Sequence, residues 1–528
     1  MSCGAVNRRF PLLLRTLCIL AGIALLLWTS GHFRIDEVRC WSWPSVQIGV
    51  LFSVVFSVGL ALLSYGYLSI LSLYGGLLGP RPLTMESLTL PRLPGFAGVL
   101  LLGTLLHALA MLAPPFLSDD PLAYAAIGRA MHLYQQGMYT PLGVSLPEAD
   151  PVRMAIEWEP EWLSVGSAYA PGFNWLASLL VRLSGTGVAA NLRSFQLLGL
   201  GSVVLTAWLS GLSARALFPE VHPSRAAAWA AVLVLLCPLT LIEATMNAHN
   251  DGLLMVSLAG FGLCLSKKRP LWAFVWLAAG LLVKASALLL LGLYLLHAVT
   301  TRLGLRRPRL SGKGLLLMLP IAALLTALFA STLLPYLWRY LSTLAKLLGN
   351  PNDALPYCTH SYECLPRGLL QIVLGLRREG WLLGLCFRCA AGMFLLWMGL
   401  SGARGMRFLA TAAAFVFGYY LFFHSSLWPW YALSLIPLIP YAAPWQRRAM
   451  LTMALCGPWM YLTDLPWNCD HSPLAVGLTQ VFEGLVMVVP PTIVLVTDYR
   501  RRNRTPSGHT PSGHTPSGHP PLPQESPR

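Results

Sequence analysis

The sequence predicts an all-α, polytopic transmembrane helical bundle of about fourteen crossings, with short helices on its outer-face loops. Three observations predict it. Of 528 residues, 55% are hydrophobic and only 11% are charged, against about 25% charged in a soluble globular chain. Mean hydropathy is +0.60. Apolar runs of spanning length recur along the chain, separated by short arginine-rich loops. These features exclude a cytosolic enzyme, a disordered scaffold and a nucleic-acid partner, and they make membrane lipid a constant neighbour. The net charge of +16 is spread over many loops, as happens when basic residues are retained on the cytoplasmic side.

The first run, 11–29, follows Arg8 and Arg9 and is interrupted by Arg15. No small-residue cleavage site follows it, so it reads as a retained span. Further runs lie at 47–79, 94–116, 194–214, 226–242, 252–266, 271–300, 314–336, 381–402, 407–424, 428–444, 449–463 and 475–497. Placing the basic clusters on one side has two consequences. The run 271–300 lies between two such clusters, so it crosses twice and turns near Lys284. The segment 169–183 breaks the parity if it crosses, so it is expected as a partly inserted outer helix. Both termini are then cytoplasmic.

The outward loops are the acidic and aromatic ones. The largest, 117–170 and 337–380, are joined by shorter loops around 247–251, 424–430 and 465–473. The expected organisation is an N-terminal pair of spans in 1–93, a transmembrane core in 94–444, further spans in 445–499, and a tail in 500–528. The tail holds three copies of Thr-Pro-Ser-Gly-His, cannot bury a core, and is expected to be disordered. None of the eleven cysteines shows metal-ligand spacing. Cys358 and Cys364 share a polar loop and could pair there or stay free.

Six groups of residues could carry chemistry. Ser118-Asp119-Asp120-Pro121 follows a span directly; its carboxylates could serve as a general base or simply cap a helix. Arg129, in Gly128-Arg129, could hold a phosphate. Tyr169-Ala170-Pro171-Gly172-Phe173-Asn174-Trp175 starts the outer helix and reads as a sugar-facing wall or an interfacial anchor. Asn247-Ala248-His249-Asn250-Asp251 puts more polar groups at a helix start than a cap requires. Lys284 is an ammonium between two apolar half-runs and needs an anion, either a carboxylate or a lipid phosphate. Finally, His424-Ser425-Ser426-Leu427-Trp428-Pro429-Trp430-Tyr431 gathers rings at an outer turn.

These residues, in this order, resemble the GT-C superfamily of integral-membrane glycosyltransferases. Within it they resemble the bacterial polyprenyl-phosphate-mannose-dependent branch that includes the mycobacterial α-mannopyranosyltransferases. The resemblance covers roughly 94–444. It rests on the acidic pair, the Gly-Arg, Gly137-Met138-Tyr139-Thr140-Pro141, Tyr-x-Pro before a Trp, His-Asn-Asp, Gly280-Leu281-Leu282-Val283-Lys284 and a late Trp-Tyr. Relatives usually carry an arginine and then Trp-Asp or Trp-Glu where this chain has Ala123, Ala126 and Ile127. The first two spans lie outside the resemblance.

The resemblance implies transfer of a hexose, mannose above all, from a polyprenyl-phosphate carrier to a glycan or lipid acceptor on the outer face, with inversion. Asp119 or Asp120 would take the acceptor's proton. Lys284 and Arg129 would face the donor phosphate. Tyr124, Tyr169, Trp175, His249, Asn250, Asp251, His424 and Trp430 would contact sugar or acceptor. Relatives divide between metal-dependent and metal-independent, so a divalent cation (Mg or Mn) stays open as a cofactor. The expected location is a bacterial inner membrane. The competing reading is a transporter or lipid-linked-glycan flippase, and a membrane glycan polymerase or ligase is a third. The one-sided charge and the lack of self-similar halves favour the enzyme.

Overall fold

The structure is a computed structural model. It describes residues 12–32, 45–74, 94–156, 163, 167, 169–302, 406–424, 427–464 and 473–504, with scattered positions between 386 and 398. The loop 337–380 with Cys358 and Cys364, the run 314–336 and the repeat tail lie outside the described residues. Among those described there is no strand, and the protein is an all-α integral membrane protein.

Helices α1 (Leu12–His32) and α2 (Ser45–Leu73) pack against each other. Arg15, the charge inside the first span, is buried and donates to the Ser69 carbonyl at 2.8 Å. An arginine so placed adds a polar tie between the two helices. The pair leans on the rest of the bundle through Tyr67, whose hydroxyl donates to the Leu233 carbonyl at 3.3 Å.

Helix α3 (Phe96–Ala110) leads to the first large loop, which carries α4 (Asp120–His132), α5 (Leu142–Ser145) and α6 (Pro151–Ile156). The segment expected as a partly inserted helix is α7 (Pro171–Ser184). At 1.5 Å per residue its 14 residues reach about 21 Å, short of a bilayer core of about 30 Å. It buries Phe173, Asn174, Ala177 and Val181, and turns Trp175, Leu179 and Leu183 outward.

Helix α8 (Val188–Leu217) is long and apolar enough to cross alone, as are α1 and Val50–Leu73 of α2. Helix α9 (Pro223–Leu235) and a π-helical segment (Thr240–Met246) reach spanning length only together, bent by 65°. Pro238 causes the break, since it has no N–H to give the Val234 carbonyl. The Thr240 hydroxyl donates there instead, at 2.6 Å, and His107 of α3 contacts the Leu235 carbonyl at 2.9 Å and the Thr245 hydroxyl at 2.7 Å. The bend is thus fully supplied with hydrogen bonds inside an apolar bundle, as a break at membrane depth requires.

Helix α10 (Asp251–Ser266) follows, then α11 (Pro270–Val283) and α12 (Ala287–Arg302). The two double back at Lys284: the Tyr294 hydroxyl reaches the Pro270 carbonyl at 2.9 Å, whereas 24 residues of continuous helix would separate them by about 36 Å. Beyond the gap stand α13 (Met406–Gly418), a π-helical turn (Tyr419–Phe423) and a 3-10 helix (Pro429–Tyr441). Pro437 and Pro440 lie inside the latter and withhold N–H donors. At about 2.0 Å per residue its 13 residues extend about 26 Å. Helices α14 (Pro444–Cys456) and α15 (Pro473–Arg504) complete the described chain.

Helix directions give the bundle two unlike ends. At one, Arg215 lies over Phe96 and Arg447 over Phe218, while Arg448 pairs with Asp498. The other end gathers the starts of α4 and α10, the Lys284 turn, and the start of the 3-10 helix.

Candidate active site

Helix α4 begins at Asp120, and Pro121 in its first turn favours a start there. Gly128 lets α4 lie against α7, since a Cβ there would sit 2.6 Å from the Ala177 carbonyl oxygen. Ala123, Ala126 and Ile127, the positions that depart from the relatives, are buried on α4. Gly172 plays the same role where α7 meets the Lys284 turn, its Cβ position lying 2.7 Å from the Leu282 carbonyl oxygen. These two close approaches carry α4, α7 and Lys284 together.

At the centre is His249, buried, with its ring stacked on Trp430 at 4.0 Å between centroids and 17° between planes. Trp428 stacks on the far side of Trp430 at 5.1 Å. The ring nitrogens face two carboxylates: Nδ1 is 3.2 Å from Asp120 Oδ2, and Nε2 is 3.3 Å from Glu243 Oε2. Asp120 also accepts from the Tyr124 hydroxyl at 3.2 Å, and that hydroxyl accepts the Asn250 N–H at 3.3 Å. The Asp120 side chain is 16% exposed. Burial alone would raise its carboxyl, but His249, the charge of Lys284 and the Tyr124 hydroxyl together hold it below the usual carboxylate range. The carboxyl is thus partly accessible beside His249 and Lys284.

Beside it, Lys284 Nζ lies 2.6 Å from Asp251 Oδ2 and 4.5 Å over the Tyr431 ring. One carboxylate occupies only part of an ammonium's three donors. The Asn250 side-chain amide and Asp251 Oδ1 are buried without a hydrogen-bond partner among the described residues. Buried polar atoms left unpaired are costly unless a ligand meets them. Ala248, with φ 54°, turns the chain so that His249, Asn250 and Asp251 all reach this pocket. A non-glycine residue in that conformation is held by its surroundings, and such strain gathers at functional sites.

The expected residues divide. The structure joins Asp120, Tyr124, His249, Asn250, Asp251, Lys284 and Trp430. Tyr169 packs edge-on against Tyr124 at 4.9 Å, and His424 meets Tyr431 at 5.0 Å, so both stand just behind the cluster. Asp119 caps α4 through its carbonyl, which accepts the Leu122 and Ala123 N–H groups. Arg129 is engaged elsewhere: its Nε and Nη2 contact both Asp150 oxygens, down to 2.8 Å, and its Nη1 donates to the Thr186 carbonyl at 2.6 Å. Trp175 is 54% exposed on the outward face of α7, the placement of an interfacial anchor. Glu243 and Tyr461 enter the site without having been anticipated. An acidic residue in Leu241-Ile242-Glu243-Ala244 is the signal that could have found the first. No group of three metal-binding side chains forms among the described residues, and no step below is routed through a metal.

A family profile described as alpha-(1->6)-mannopyranosyltransferase, N-terminal domain (the MptA_B family), matches residues 13–300, more than half of the chain. The chain belongs to this family. This membership makes the protein a mannosyltransferase of the membrane-embedded kind. The matched stretch begins inside α1, so the mannopyranosyltransferase domain takes in the first helix pair that the motif resemblance had left outside. It includes every site residue up to Lys284 and ends before Trp430. No curated protein and no solved structure matches the chain.

Proposed function

We propose that this mannosyltransferase moves mannose from a polyprenyl-phosphate carrier to an acceptor hydroxyl on the outer face of a bacterial inner membrane, by single inverting displacement. Asp120 takes the acceptor proton. The freed oxygen attacks the anomeric carbon as the bond to the carrier's phosphate breaks, and the phosphate leaves with the electron pair. Lys284 opposes the charge that develops on it, in a site poor in water where such a contact counts most. Asn250 and Asp251 meet sugar hydroxyls.

The observation that carries this reading is the partly exposed Asp120 carboxylate, held by the Tyr124 hydroxyl and facing His249 Nδ1 at 3.2 Å beside the Lys284–Asp251 pair. Both Asp119 and Asp120 start the loop, and Asp120 is the one whose carboxylate lies 3.2 Å from His249 Nδ1. The aromatic wall is Trp430 with Tyr431, and on this reading both termini lie in the cytoplasm, the side that retained basic loops imply.

The test is transfer of radiolabel from polyprenyl-phosphate-mannose in membranes holding wild type, Asp119→Asn, Asp120→Asn or Lys284→Ala. Wild type should transfer label, Asp120→Asn should lose at least a thousandfold, and Asp119→Asn should stay within tenfold. Full activity in Asp120→Asn defeats the displacement mechanism. Label moved only from another carrier sugar or a nucleotide sugar defeats the donor assignment.

A further inference from the structure

Glu243 is the buried group that this mechanism does not use. It sits on the π-helical segment with no solvent exposure, inside an otherwise apolar bundle. Its Oε2 accepts from the Tyr461 hydroxyl at 3.0 Å and from the Asn247 amide at 3.4 Å, and faces His249 Nε2 at 3.3 Å. Its Oε1 has no hydrogen-bond partner among the described residues. A carboxylate at such depth is held at a free-energy cost and is a functional residue by default.

Its position relative to Asp120 is what gives it a role. The His249 ring lies between the two carboxylates, one facing each nitrogen. An imidazole can present an N–H to each side only when both nitrogens carry a proton, so the two carboxylates together set what the ring meets. Trp430 and Trp428 stack behind the ring and keep it from turning away. We infer that Glu243 is a positioning residue of the sugar transfer: by facing His249 Nε2 at 3.3 Å it biases the imidazole electrostatically, and through it the charge of Asp120. The inference rests on Asp120 being the base.

The charges balance through the step. With both carboxyls ionised and the ring doubly protonated, the trio carries two negative charges and one positive before transfer. When the acceptor proton arrives on Asp120, the imidazolium and Glu243 remain as a neutral pair in the bundle interior. Glu243 thus keeps a counter-charge for His249 at the moment Asp120 loses its own. The other titratable or charged groups facing the trio are Tyr124 of α4, Asp251 of α10, Lys284, Tyr431 of the 3-10 helix, Tyr461 and Tyr169. Lys284 is matched by Asp251 at 2.6 Å, which leaves Glu243 as the carboxylate facing Nε2.

The test is the pH dependence of mannosyl transfer by Glu243→Gln in the full chain. Gln keeps the size and an acceptor oxygen but removes the charge. His249 then loses its buried counter-ion, Asp120 loses a cation, and Asp120 binds its proton more tightly. The acid limb of the kcat profile should move up by about one pH unit, with kcat down tenfold or more and KM changed less than threefold. Glu243→Asp should return the limb toward wild type.

A folded Glu243→Gln protein with the wild-type limb and kcat overturns the inference, and so does a loss confined to KM. If Glu243→Gln is not recovered from membranes, Tyr461→Phe takes its place. It removes one hydrogen bond to the carboxylate and should shift the limb the same way by less; an unmoved limb there overturns the inference. Failure of the parent reading looks different: wild type transfers nothing, or Asp120→Asn stays active.

Discussion

Replacing Arg129 by methionine separates a phosphate ligand from a structural latch. Its guanidinium is 3% exposed and the Asp150 side chain is fully buried. Nε and Nη2 reach the two carboxylate oxygens at 3.2, 3.0 and 2.8 Å, and Nη1 ties the Thr186 carbonyl and Asn191. Without them, Asp150 keeps only the Tyr134 hydroxyl at 2.7 Å and the Val152 and Arg153 amides at 2.8 and 3.4 Å. Removing one partner of a buried ion pair costs about 3–5 kcal/mol. At 1.4 kcal/mol per tenfold, the folded fraction relative to unfolded falls by about a hundred- to several-thousand-fold. The assay is thermal melting in detergent followed by tryptophan fluorescence, for Arg129→Met, Asp150→Leu and the double variant. Both single variants should melt several degrees early. The double variant should recover most of the loss, because an apolar pair can replace a buried ion pair at little cost. The folded fraction of Arg129→Met should keep its KM for the lipid donor. A variant that melts like wild type while its donor KM rises tenfold would refute the latch and return Arg129 to the phosphate.

Three further outcomes follow from the same geometry. Burial would raise the Asp150 carboxyl, yet Arg129, Tyr134 and the Val152 N–H outweigh it and hold it below the usual range; the stability it contributes is present above about pH 4 and is lost as pH falls through its lowered value, so melting in mild acid should stay flat and then drop. Lys284→Met strands the Asp251 carboxylate in the cluster, so transfer should fall at least a hundredfold while Lys284→Arg retains part of it, read by label transfer. His107→Ala leaves the Leu235 carbonyl and Thr245 unpaired at the bend, which should cost about 1–3 kcal/mol for the buried groups left without partners, measured by melting.

Charge parity pointed to the helical hairpin at Lys284 and to a short helix over 171–184, because both follow from which loops hold arginine. The convergence of the acidic loops at one end was legible for the same reason. The choice between Asp119 and Asp120 was not: it depends on where α4 starts, a matter of one residue. The Asp150 contact of Arg129 was not legible, because that partner lies 21 residues away across a loop with no regular period. Glu243 was hidden for another reason. The apolar run 226–242 stops just before the charge, so Glu243 falls between the predicted span and the loop around 247–251. The 3-10 helix reads from sequence as an ordinary span, although its two internal prolines mark the departure.

Most helices that cross a bilayer can gain or lose a residue, since tilt and local thinning absorb the difference. The stretch 240–246 has no such freedom. Its wider π-helical turns carry Glu243 inward and deliver His249, Asn250 and Asp251 together at the same end of the bundle. Deleting one residue there would restore the tighter α-helical winding, which redistributes the side chains of the segment itself around its axis by as much as about 100°. Glu243 and His249 could no longer meet. The residue count of this segment is therefore as much a component of the site as its side chains, and a one-residue deletion should abolish transfer even where no named group is removed.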